Sequence, residues 1–133
     1  MALVSCVDLP QQKLIAYNVH LESRGTEDLR LNQLGEILND LYKRPSEVQV
    51  IVAGDFNCDL RDECAAEVIG KTGLSNPFAS IPCRPTTISS RFNRSRPIDW
   101  ILTMGPSIAF ESKLYDSVRS SDHYPLSLTL RWM

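Results

Sequence analysis

The sequence predicts one α/β domain, and three observations predict it. A β-prone run at 13–20 and an apolar run at 48–54 flank an amphipathic helical stripe, which argues for strands and a helix in one layered unit. Near the C-terminus Leu126, Leu128, Leu130 and Trp132 alternate with Ser127, Thr129 and Arg131, the pattern of an antiparallel strand with one buried face. At 133 residues the chain can enclose one sizeable core, and no internal repeat or linker divides it.

Leu3–Leu9 and Lys13–His20 are two short β-prone runs separated by Pro10-Gln11-Gln12, so 3–20 is expected to be a hairpin. In the second strand Leu14, Ala16, Asn18 and His20 share one face and Ile15, Tyr17, Val19 and Leu21 the other. Thr26 suits a helix N-cap, with Glu27 and Asp28 in the first turn where the helix dipole favours acids. Leu31, Leu34, Ile37, Leu38 and Leu41 then form one apolar stripe, ending near 42–44 because Pro45 disfavours helical geometry before it. Val48–Gly54 reads as a strand buried on both faces. A short helix is expected over 61–70. Residues 72–97 show little periodicity and much Pro, Ser and Arg, and are expected to be a long surface loop. Ile98–Met104 and Ile108–Tyr115 read as strands, with a loop over 117–125.

Bulk properties exclude several classes. Net charge is −2 with a pI of about 5.6, so any affinity for a polyanion must come from a local patch. That patch has a candidate in Arg84, Arg91, Arg94 and Arg96, with no acid between Glu67 and Asp99. No apolar run is long enough to span a bilayer, and no basic-then-apolar leader opens the chain, so a cytoplasmic protein without membrane association is expected. Cys6, Cys58, Cys64 and Cys83 lack zinc spacing and are expected to be reduced, mostly packing thiols.

Polar residues gather where strands end: Asn18/His20, Asp55/Asn57, Asp99 and Asp122/His123. Each has an ordinary explanation taken alone, as turn chemistry or a hydrogen-bonded surface group. Asp99 is harder to dismiss, since it sits in the apolar Ile98-Asp99-Trp100-Ile101 and needs a partner, an Arg or a His. Asp55 and Asn57, two apart on a locally extended backbone, are expected to point to one side. Together the groups suit phosphate-ester hydrolysis. A histidine held by a carboxylate takes a proton from water, a carboxylate-bound Mg²⁺ stabilises developing charge, and a second histidine donates to phosphate oxygens. There is no G-x-S-x-G, P-loop or dinucleotide glycine pattern.

The ordered motifs Asn18-Val19-His20-Leu21-Glu22-Ser23, Gly54-Asp55-Phe56-Asn57, Ile98-Asp99-Trp100-Ile101 and Ser121-Asp122-His123-Tyr124-Pro125 resemble those of the endonuclease/exonuclease/phosphatase superfamily, the Mg²⁺-dependent DNase I-like proteins. The resemblance covers that family's C-terminal half. It implies half of a four-layer α/β sandwich, with a mainly antiparallel sheet and helices on one face. It implies His123 as the base, oriented by Asp99; Asp55 and Asn57 at the water and phosphate; His20 donating to the phosphate; Asp122 as a Mg²⁺ (or Mn²⁺) ligand; and Asn18 on the substrate, where the charge of the loop arginines is expected to add contacts. The implied activity is that of a metal-dependent phosphodiesterase, in the first place a nuclease, with inositol phosphates or lipids as other substrates. The family's Gln-Glu motif, whose Glu is its principal Mg²⁺ ligand, has no counterpart here, which leaves a non-catalytic binding or assembly module as the alternative. Half a sandwich leaves a sheet face open, so a homodimer covering it is expected.

Overall fold

The computed structural model describes residues 1–10, 12–79, 84–89 and 94–132. Cys83 and Arg91 lie outside the described residues. The strands are β1 (Ala2–Leu9), β2 (Gln12–His20), β3 (Gln49–Asp55), β4 (Asp99–Met104), β5 (Ser107–Leu114) and β6 (Leu126–Trp132), and the helices are α1 (Glu27–Leu41) and α2 (Glu63–Gly70). A four-stranded sheet runs β1-β2-β3-β4, and β5 pairs with β6 as a separate hairpin. Only the β2–β3 pairing is parallel, bridged by α1; β1–β2, β3–β4 and β5–β6 are antiparallel. The expected fold class, a mainly antiparallel α/β layer with its helices on one face, is the one observed.

The reasons are local. The Thr26 side chain accepts the Leu29 N–H and caps α1, while Leu34, Ile37, Leu38 and Leu41 are buried. They pack against Ile15, Tyr17 and Val19 of β2, Val50 and Val52 of β3, and Trp100 and Leu102 of β4 in one core. Burying each large aliphatic side chain contributes about 1.5–3 kcal/mol, which is what holds a modest amphipathic helix on the sheet. Leu126 and Leu128 of β6 pack on the edge of the same core. Among the described residues the opposite sheet face carries no helix.

Two expectations need correction. Residues 72–97 are not simply a surface loop. Leu74, Phe78 and Thr86 are all buried, and Ser75 pairs with Thr103 at the β4 edge. Nor are the described thiols mostly packing groups: Cys6 and Cys64 are exposed, and among the described residues only Cys58 leans on the core. Burial pushes the Cys58 thiol up to about 11, so it stays protonated and unreactive near neutral pH.

Candidate active site

The site is built on one row of the sheet. His20 ends β2 and pairs in register with Asp55, which ends β3; Asp55 pairs with Asp99, which opens β4. Adjacent strands lie about 4.8 Å apart, so three chemically active side chains stand side by side on the helix-free face. Their places at strand ends were legible in the sequence; their shared row was not.

Gly54 makes this row possible. Its φ is +140°, and a Cβ there would sit 2.0 Å from the Val19 carbonyl oxygen. Only glycine lets β3 approach β2 this closely. After Asp55 the chain turns at once. Asn57 has φ +52°, its N–H donates to Asp55 Oδ1 at 2.8 Å, and its Nδ2 donates to the Leu21 carbonyl at 2.9 Å. Asp55 and Asn57 are therefore not two residues of one extended segment. Asn57 is a buried turn residue that fixes one carboxylate oxygen of Asp55 and ties the β3 end to the β2 end. The other oxygen, Oδ2, lies 3.8 Å from His20 Nε2.

Asp99 finds the histidine partner its apolar surroundings demand. His123 Nδ1 is 2.9 Å from Asp99 Oδ2 and 3.1 Å from Oδ1. The second partner, Thr86, was missed by sequence reasoning. Its hydroxyl donates to Asp99 Oδ2 at 2.6 Å and accepts the N–H groups of Ile98 and Asp99, each at 3.0 Å. The short stretch around Thr86 also positions the histidine. Thr87 pairs with His123, the Ile88 N–H donates to the Asp122 carbonyl, and the Tyr124 N–H donates to the Thr86 carbonyl. A single threonine in a Ser/Thr-rich stretch carries no sequence signal for this role, because long-range backbone pairing creates it.

Electrostatics follow from burial and pairing. Burial pushes the Asp99 carboxyl above its ordinary range, against the hydrogen bonds from Thr86 and His123 that pull it down. Burial alone would lower His123, but the hydrogen bond and charge of Asp99 outweigh it and raise the ring above its ordinary value. The pair thus holds a histidine of increased basicity.

A cleft of about 770 Å³ opens beside the Asp99–His123 pair, and His123 is the member that borders it. His20, Asp55, Asn57, Asp122 and His123 border it, together with Ser23 and Arg24 from the β2–α1 loop and Arg94 and Arg96 from the segment before β4. Arg24 was not anticipated from sequence. Two expected substrate contacts fall elsewhere. Arg84 is paired with Asp116 and borders a small apolar pocket behind Asp99, and Asn18 is exposed one row further along β2, outside the cleft.

The residues present fit a hard divalent cation. Ligand atoms of Asp55, Asp99 and His123 lie within 4.8 Å of one another. Asp99 and His123 are engaged with each other and with Thr86, which leaves Asp55 Oδ2 as the available donor oxygen. Mg²⁺ is commonly held by one or two carboxylates plus substrate phosphate and water, so the Asp55 carboxylate fits that role, and Asp122 borders the same cleft. Asp122 itself is not in the three-residue cluster.

No protein-family model matches the chain, and no curated protein does. Solved structures do. A humanized D. rerio TDP2 carrying 14 mutations is 26% identical, with TM-score 0.77 over 98% of this chain and 60% of its own. D. rerio TDP2 complexed with a single strand DNA product is 25% identical, with TM-score 0.78 over 98% of this chain and 61% of its own. An endonuclease/exonuclease/phosphatase from Beutenbergia cavernae is 19% identical, with TM-score 0.78 over 98% of this chain and 39% of its own. The motif order, the row of strand ends and these superpositions agree: the chain has the DNase I-like fold of the endonuclease/exonuclease/phosphatase superfamily, over about half the length of the solved proteins it matches.

Proposed function

We propose that this cleft hydrolyses phosphodiester bonds of nucleic acid with the help of Mg²⁺ or Mn²⁺. The observation that carries the proposal is the His123–Asp99–Thr86 chain of hydrogen bonds, whose His123 borders one cleft with Asp55 and His20. Asp99 holds His123 by Nδ1, which leaves Nε2 to take a proton from water in the cleft. The resulting hydroxide attacks phosphorus as the bond to the leaving oxygen breaks. His20 is a donor for a non-bridging phosphate oxygen. Asp55, with Asp122, would hold the cation, which when bound offsets charge developing on the phosphate oxygens. Asn57 keeps the Asp55 carboxylate aimed.

Turnover of bis(p-nitrophenyl) phosphate and nicking of supercoiled plasmid test this, with and without Mg²⁺ or Mn²⁺. Metal-dependent turnover that falls at least about 100-fold in His123→Ala and Asp55→Ala is expected, general-base catalysis alone contributing 10²–10⁴-fold. Equal turnover by the variants and the wild type, or none from a folded wild type, would sink the reading and favour a non-catalytic module.

A second copy of the chain is the proposed cover for the helix-free sheet face, leaving open the strand ends that carry His20, Asp55 and Asp99. That face exposes Leu3 at 64% and Val7 at 41%, apolar side chains on the same side of β1 that a partner would cover. Light scattering at micromolar concentration should report twice the chain mass; a monomer mass would remove the homodimer.

A further inference from the structure

We propose that Arg24, Arg94 and Arg96 form a two-sided guanidinium clamp that grips the phosphates flanking the scissile one, so that the cleft selects a strand of several phosphates over a single small phosphodiester. This rests on the hydrolytic reading of the cleft and extends it to what the cleft holds.

The arginines of this chain divide cleanly. Among the described residues, those away from the cleft are each engaged with a protein group. Arg30 donates to the Glu22 and Gly25 carbonyls, Arg44 to Asp40 and Tyr17, Arg61 to Asp59 and Arg84 to Asp116. Arg119 donates to the Asp116 carbonyl, and Arg131 lies over the Phe110 ring. Arg24, Arg94 and Arg96 are the described arginines whose guanidinium groups meet neither an acceptor nor an aromatic ring among the described residues, and all three border the same cleft. A guanidinium carries five donors in a planar fork that matches phosphate oxygens. Leaving three such groups open around one cleft suits a ligand with several anionic oxygens.

Their placement gives the clamp its geometry. β3 carries Asp55 at the centre, with β2 on one side and β4 on the other. Arg24 follows β2, and Arg94 and Arg96 precede β4. The three arginines thus join the cleft lining from segments next to β2 and β4, the strands on either side of Asp55, an arrangement suited to a strand passing over it. The Arg24 loop is also held in place from below. Arg30 of α1 donates to the Glu22 and Gly25 carbonyls on either side of it, Gln33 accepts the Glu22 N–H at 2.9 Å, and Glu22 Oε1 accepts the Arg24 N–H at 2.9 Å. At about 770 Å³ the cleft is far larger than one phosphate needs.

The test separates binding from turnover. A fluorescein-labelled single-stranded octanucleotide is titrated with the protein in metal-free buffer and read by anisotropy over a salt series. The variants are Arg24→Ala, the double Arg94→Ala/Arg96→Ala, and Lys13→Ala as a charge-matched control on the far end of β2. Both arginine variants should weaken binding several-fold, and each lost contact should reduce the log–log salt slope by about 0.7, the value for one phosphate on a single strand. Lys13→Ala should match the wild type. With metal added, kcat/KM for the strand should fall more in the arginine variants than kcat/KM for bis(p-nitrophenyl) phosphate. The clamp is overturned if the wild type does not bind the strand, if the arginine variants bind it as the wild type does, if Lys13→Ala weakens it equally, or if both substrates lose the same factor. If the small diester is not turned over while the binding pattern holds, the hydrolytic reading fails alone and the clamp stands.

Discussion

Replacing Thr86 by Val tests how the Asp99–His123 pair is held. Valine keeps the branched shape but removes the one oxygen that serves three groups. The Ile98 N–H, now buried without an acceptor, costs about 1–3 kcal/mol, and the lost bond to the Asp99 carboxylate costs about 1.5–3 kcal/mol. The Asp99 N–H adds to this, but the two bonds next to Asp99 are only partly buried, so a total of about 3–5 kcal/mol is expected. At roughly 4 °C per kcal/mol for a domain of this size, the melting temperature should fall by about 12–20 °C. The loss also depends on pH. Asp99 is already raised by burial, and removing a donor raises it further, so its ionised form is the costly one. The deficit should therefore shrink as pH falls through the folded-state pKa of Asp99 and be largest above it. Thermal unfolding by circular dichroism from pH 4 to 8 measures both effects. Thr86→Ser, which retains the hydroxyl, should lose no more than about 1.5 kcal/mol. A Val variant within 1 kcal/mol of the wild type, or a Ser variant as damaged as Val, would refute the hub role of Thr86.

Three further outcomes are expected. Asp99→Asn removes the charge that raises His123, so the acid limb of the rate profile should move to lower pH, with a loss of about 10–150-fold at neutral pH from about 1.5–3 kcal/mol of charge-assisted bonding; an unmoved acid limb in steady-state kinetics would contradict the assignment of His123 as base. Gly54→Ala drives a Cβ into the Val19 carbonyl, a backbone contact that cannot rotate away, and should cost on the order of 3–5 kcal/mol in urea unfolding; a loss under 1 kcal/mol would show that β2 and β3 can separate freely. Asn57→Ala should be more destabilising than Asn57→Gly by about 1 kcal/mol, since both lose the bond to the Leu21 carbonyl but only alanine pays for positive φ; equal urea midpoints would remove the strain from the account.

Strand ends, the α1 stripe and the polar side chains His20, Asp55, Asp99 and His123 near those ends were legible because each signal is local. Alternation places His20 at the end of β2, an apolar run places Asp55 at the end of β3, and an acid inside Ile98-Asp99-Trp100 calls for a partner. None of these patterns says which ends share a row; sheet order and register decided that, through a close approach that Gly54 alone permits. Tertiary pairing also sorted residues of like composition. Arg84 and Arg96 look alike in sequence, yet Arg84 is engaged with Asp116 while Arg96 opens onto the cleft. Thr86 and Arg24 had no sequence signature, since a hydroxyl becomes a hub, or an arginine a clamp, only when distant backbone brings its partners there. The sequence by itself determined the elements and the chemistry available at their ends. The tertiary structure alone decided which of those groups meet, because that depends on hydrogen bonds between segments far apart in the chain.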